Sequence, residues 1–104
     1  MRAETLKGHL DLLLLAIVAE EPAHGYRIIE SLKERSGGAF DLPEGTVYPA
    51  LHRLEQSGLL TSSWASGTGR RRRVYRLTAH GRRGLAGGRR EWHGFAKAVE
   101  AVVA

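Results

Sequence analysis

The segment Glu44-Gly45-Thr46-Val47-Tyr48-Pro49-Ala50-Leu51-His52-Arg53-Leu54-Glu55, closed by Ser57-Gly58-Leu59-Leu60, constrains the fold more than any other. Val47, Leu51 and Leu54 recur at helical spacing and predict a helix over about Pro43 to Ser57. Thr46, Tyr48, Pro49, His52 and Arg53 then lie on or beside its outward face. Gly58 stops the helix. Leu60 to Trp64 predicts a strand, and Ser66-Gly67-Thr68-Gly69 a hairpin tip. Arg71 to Leu77 alternates, with Arg73, Tyr75 and Leu77 on one face and Arg72, Val74 and Arg76 on the other. A short helix beside an arginine-tipped hairpin is how a winged helix-turn-helix holds a duplex.

The flanking segments complete such a unit. Residues 8–20 predict a helix whose run Leu12-Leu13-Leu14-Leu15-Ala16-Ile17-Val18 is apolar on all sides, as in a helix buried all round. Glu20-Glu21-Pro22 ends it. From about His24 to Arg35, residues Gly25, Ile28, Ile29 and Leu32 form one packed helix face, and Ser36-Gly37-Gly38 is the stop. Asp41, with Glu44 three residues on and a proline in the first turn, resembles a start signal for the third helix. Thr78 is a cap for a last helix over about 79–103. There Leu85, Trp92, Phe95 or Ala96, Val99 and Val102 or Val103 follow a near-heptad spacing. Gly81, Gly84, Gly87, Gly88 and Gly94 each weaken that helix by about 1 kcal/mol against alanine, so packing must hold it, most economically against its twin in a dimer. The expected fold class is α+β, mostly α: a winged helix-turn-helix with a two-stranded β-wing over residues 1–78 and a C-terminal dimerisation helix over 79–104. The N-terminal helix contributes to the dimer.

Charge is segregated along the 104 residues. Residues 1–55 carry nine acids against six bases, residues 56–90 nine arginines and no acid, residues 91–104 two acids and one lysine. An acid-free basic third attracts polyanions and releases counterions when it meets phosphate. With no cysteine, a disulfide framework, a zinc ribbon and a thiol nucleophile are excluded. The longest apolar run, Leu12 to Ala19, is far below a membrane span, and the N-terminus has no signal-peptide pattern, so a cytoplasmic protein with no membrane partner is expected. The five histidines, His9, His24, His52, His80 and His93, form no tight ligand spacing; no metal and no cofactor are expected. There is no nucleophile elbow, phosphate-binding glycine loop or His-Glu-x-x-His pattern, which argues against an enzyme.

Thr46 and Tyr48 in the first turn of the third helix can reach phosphates or base edges, and Pro49 a thymine methyl. His52 and Arg53 lie one turn on. Each has a plainer reading. Thr46 can be a helix-start residue, Tyr48 a half-buried core aromatic, His52 an exposed polar residue, and Arg53 the partner of Glu55 or Glu44. Four consecutive arginines do not suit a core. Arg70 and Arg71, nearest the tip, and then Arg72, are the candidates for phosphate or minor-groove contact.

Four segments in this order and spacing resemble the phenolic-acid decarboxylase repressor (PadR) family. They are His24-Gly25-Tyr26-Arg27-Ile28, the Glu44–Glu55 segment, Ser57-Gly58-Leu59-Leu60, and Arg72-Arg73-Val74-Tyr75-Arg76-Leu77-Thr78-Ala79-His80-Gly81. The length resembles the short branch, with a single C-terminal dimerisation helix. The resemblance implies a homodimeric winged-helix transcription regulator, usually a repressor, on an inverted repeat of double-stranded DNA. Tyr26 then matches a phosphate contact, or a structural residue beside the third helix. Trp92 matches a tryptophan that faces its twin and lines a pocket for flat aromatic effectors. Leu12 matches a neighbouring wall, with Phe95 and Val99 on the same stripe; alternatively Trp92 simply fills the dimer core. The other class of function is a winged-helix module that uses its basic wing on an acidic protein or on RNA, without a specific operator.

Overall fold

The computed structural model describes residue 6 and residues 8–67 and 71–104. In chain order the elements are α1 Leu10–Glu20, β1 Ala23–His24, α2 Gly25–Arg35, α3 Glu44–Gln56, β2 Leu60–Ser66, β3 Arg71–Leu77 and α4 Ala79–Val103. The strands form one antiparallel sheet in the order β1-β3-β2. The wing therefore has a third strand beyond the two expected. Ala23 pairs with Tyr75 and His24 with Val74. Two residues after a proline are too few to show an alternating pattern, and their pairing comes from β3, fifty residues on.

Helices α1, α2 and α3 close around a core in which Leu14, Ile28, Val47, Leu51, Leu54 and Leu60 are fully buried. Leu10, Leu15, Ile17 and Val18 of α1 are buried too, and Leu12, Leu13 and Ala16 half-buried, as an all-round apolar helix requires. Two helix ends are fixed by glycine. After α3, the Leu59 N–H donates to Leu54 O and the Gly58 N–H to Glu55 O, with Gly58 at φ 78°. After α2, Gly38 and Gly37 repeat the pattern onto Lys33 O and Glu34 O. Both are Schellman endings, which need a left-handed residue.

The start of α3 differs from expectation. Pro43 is its N-cap and no side chain caps it; the Pro43 carbonyl accepts from the N–H groups of Thr46 and Val47. Asp41 instead lies 3.7 Å from Lys33 Nζ. Thr78, in contrast, caps α4 as expected. Its Oγ1 accepts from the Gly81 N–H at 2.9 Å and reaches the Gly58 carbonyl at 2.6 Å, while its own N–H donates to Leu59 O. The end of α3, the start of β2 and the start of α4 are thus joined at one point.

Helix α4 leaves this body halfway along. Gly81 and Leu85 are buried and Gly88 packs on Leu12, but from Arg89 onward only Ala96 is less than exposed.

Candidate nucleic-acid interface

The exposed side of α3 carries Tyr48, Pro49, His52 and Arg53, with Thr46 half-buried at its start. Pro49 lies inside the helix on the solvent side, so the backbone bond it removes is one that water can replace. The Tyr48 ring lies over Gly25, where any Cβ would overlap it. Gly25 thus lets α2 and α3 approach. Tyr48 also meets Tyr26 edge to face, with centroids 6.3 Å apart. Burial, and then the charge of Glu44, push the Tyr48 hydroxyl above its usual pKa, so it is a donor at neutral pH. Two half-exposed phenols therefore flank the junction of α2 and α3.

Arg53 does not pair with Glu55 or Glu44. Both its terminal nitrogens donate to the carboxylate of Asp11 at 2.8 Å, fastening the last turn of α3 to α1. Such a bidentate pair fixes geometry, though at this exposure it contributes at most about 1 kcal/mol.

The wing carries its arginines on two faces, as the alternation requires. Arg71 and Arg73 lie over the ring of Trp64, 4.8 and 5.1 Å from its centroid. Arg73 Nε also donates to Ser62 Oγ at 2.7 Å, and Ser62 Oγ to Glu55 Oε2 at 2.5 Å. Arg72, on the other face, reaches His24 Nε2 at 2.9 Å. Arg70 lies outside the described residues. Trp64, Arg73 and Glu55 were not anticipated from the sequence. An aromatic residue in a hairpin that the core does not claim was the available signal for Trp64.

His24 faces a conflict of hydrogen bonds. Its Nδ1 accepts from the Arg27 N–H at 3.3 Å as the N-cap of α2, while Nε2 faces the Arg72 guanidinium. A neutral imidazole has one acceptor nitrogen, so it satisfies the cap or Arg72, not both. Burial, then the charge of Arg72, lower its pKa from the ordinary 6.5, with Glu30 opposing and Arg27 adding slightly. A histidine depressed in this way contributes stability that is complete above pH 6.5 and declines as the pH falls through the folded-state pKa. The thermal midpoint should drop between about pH 7.5 and about pH 5.5. His24→Asn, which keeps an acceptor but does not titrate, should flatten that part of the profile. A profile unchanged by the substitution would remove His24 as its source.

On α4, Trp92 meets His9 edge to face at 5.2 Å and Phe95 at 6.3 Å. Between α1 and α4 is an open cavity of about 430 Å³, lined by Leu12, Leu13, Ala16, Phe40 and Trp92, with Arg35, Arg89, His9 and His93 also on its wall. Phe95 lines a smaller recess next to it with Leu12, Gly88 and Trp92. Val99, a turn further on, lines neither. Gly88 allows close helix contact, since its Cβ would lie 2.9 Å from Leu12 Cδ1, whereas Gly94 faces open space. Among the described residues no three His, Asp or Glu side chains are grouped to hold a metal, and no helix is long and apolar enough to cross a membrane.

Three packed helices, a hairpin with an arginine row and a helix leaving the body define a winged helix-turn-helix of the kind found in transcription regulators. The family described as "Transcriptional regulator PadR-like family" matches residues 14–87. Transcriptional regulator Rv3488 of Mycobacterium tuberculosis is 39% identical over 96 residues, covering 92% of this chain and 87% of that protein. A transcriptional regulator from Clostridium thermocellum superposes with a TM-score of 0.91 over 100% of this chain and 99% of its own, at 26% identity. A PadR family transcription regulator from Clostridium difficile does so with 0.84 over 93% and 100%, at 32% identity. The chain belongs to the PadR-like family of transcriptional regulators; it is a regulator of transcription, not an enzyme.

Proposed function

We propose that the protein is a homodimeric repressor that binds an inverted-repeat operator in double-stranded DNA and is relieved by a flat aromatic effector held between its subunits. In this reading residues 1–78 are the DNA-binding unit and residues 79–104 the dimerisation helix, in a cytoplasmic protein. Two copies of α3 enter major grooves about one helical turn, roughly 34 Å, apart. Thr46, Tyr48, Pro49 and His52 face bases or phosphates, and Tyr26 contacts a phosphate beside Tyr48. Arg53, fastened to Asp11, contributes by fixing the tilt of α3, and reaches DNA only by exchanging that partner. Arg70, Arg71 and Arg72 grip the flanking backbone.

The observation that carries this reading is the polar face of α3 beside a wing whose two strands carry arginines and no carboxylate, Arg73 alone among the described wing arginines lying near one, Glu55 of α3. The dimer is supported by the stripe of Trp92, Phe95 and Val99 on the free half of α4, which is 42%, 59% and 40% exposed in one chain. The effector is supported by the cavity next to Trp92, whose apolar walls suit a flat ring. A ligand there would act by changing the separation of the two α3 helices, and so the affinity for DNA.

The test is a salt titration of binding to duplex DNA and to single-stranded RNA. Wild-type protein should favour the duplex. Arg71→Ala with Arg72→Ala should weaken binding to every duplex sequence, and lower the slope of log affinity against log salt by about two. An unchanged slope would remove these residues from the phosphate contacts. A preference for the RNA would favour the interaction-module reading.

A further inference from the structure

Arg71 and Arg73 share one indole, and they use it differently. Trp64 is paired with Arg73 across the β2–β3 ladder and lies two positions from the Ser66–Arg71 pair, on the same face. At 55% exposure it is not a core residue. It belongs to the wing face that runs from buried Tyr75 through Ser62 toward the tip.

Arg73 is anchored by its edge as well as its face. Its Nε donates to Ser62, and a terminal nitrogen lies 3.6 Å from Glu55, which also accepts from Ser62. Glu55 belongs to the last turn of α3. A chain of contacts thus runs from α3 through Ser62 and Arg73 to the indole. Arg71 ends that chain. Among the described residues its side chain makes no hydrogen bond or ion pair, and its contact is the Trp64 ring. A guanidinium resting on an aromatic ring spends its flat face there, and its N–H donors remain in the plane, pointing outward. Phosphate is bound by those donors. Stacking on Trp64 and gripping a phosphate therefore do not compete.

We propose that Trp64 is a positioning residue of the DNA interface, holding the Arg71 guanidinium by its face, at an offset from α3 set by Glu55, Ser62 and Arg73, so that its edge is presented to a phosphate. The proposal rests on reading the wing as a phosphate-binding element. A free arginine loses rotamer freedom when it grips a phosphate; one already held on a ring loses less.

The experiment is a double-mutant cycle on a short random-sequence duplex at low salt, with thermal midpoint and oligomeric state measured alongside. The proteins are wild type, Trp64→Leu, Arg71→Ala and the double variant. Leucine keeps apolar bulk and lacks a π face, so folding should be retained. Trp64→Leu should bind about three- to fivefold more weakly, and Trp64→Phe should recover part of the loss. The double variant should bind no more weakly than Arg71→Ala. Losses that add would overturn the proposal, because Trp64 would then act independently of Arg71. Wild-type binding by Trp64→Leu, with Arg71→Ala weakened, would overturn it while leaving the wing reading intact. Wild-type binding by Arg71→Ala would remove both.

Discussion

Glutamate in place of both Phe95 and Val99 should turn the proposed dimer into a folded monomer that binds the proposed operator at least about a hundredfold more weakly. Both side chains lie on the half of α4 that leaves the body of the protomer, and neither is needed to bury the core. Burying one such side chain against a twin contributes about 1.5–3 kcal/mol, and twofold symmetry counts it twice. A carboxylate at the same position would be buried without a partner, so the sign of the term reverses. The cost in DNA binding follows from geometry rather than from any lost DNA contact. A monomer keeps α3 and the wing but loses the linkage that makes the second half-site contact intramolecular. Light scattering during gel filtration reads the assembly, and a titration reads the affinity. A variant that stays dimeric would mean that α4 is not the interface.

Gly81→Ala should destabilise the fold by about 3 kcal/mol and lower the thermal midpoint by roughly 15 °C. Gly81 receives the Thr78 cap bond, and its α-carbon faces the Leu59 carbonyl so closely that a methyl group would overlap the oxygen. Leu59 cannot move freely, because the same carbonyl accepts from the Thr78 N–H and its own N–H closes the end of α3. Relief therefore requires shifting α4 against the α3–β2 corner. Gly94→Ala is the matched control. It makes the same change in the same helix with nothing within 4 Å, and should stabilise by about 0.5–1 kcal/mol through helix propensity. Equal effects at the two positions would contradict the packing argument.

These two glycines illustrate what could be read in the sequence and what could not. Helix propensity treats Gly81 and Gly94 alike; only the tertiary approach of Leu59 separates them. The local signals were legible. The stripe of Val47, Leu51 and Leu54, the stop at Gly58, the alternation from Arg71 to Leu77 and the Thr78 cap each depend on neighbours within a few residues. Pairings set by distant chain were not legible. Arg53 had two acids close in sequence, yet its partner is Asp11, forty-two positions away. Asp41 fits a capping pattern but lies toward Lys33, because Pro43 already supplies the turn into α3. β1 exists only because β3 offers an edge to pair with. The same limit applied to the interface. The arginine row was visible as composition. The contacts that share it out, with Arg72 to His24, Arg73 to Glu55 and Ser62, and Arg71 to Trp64, needed the register of the hairpin.

The most direct test of the central claim is a gel shift of the purified protein on its own upstream DNA with excess non-specific competitor, followed by footprinting of the shifted band. A sequence-specific dimer predicts a discrete band that survives the competitor, and two protected half-sites in inverted orientation with centres roughly 34 Å apart. A smear that disappears with competitor or added salt, there and on genomic fragments selected for binding, would contradict it. The basic wing would then be attracting polyanions without reading a sequence.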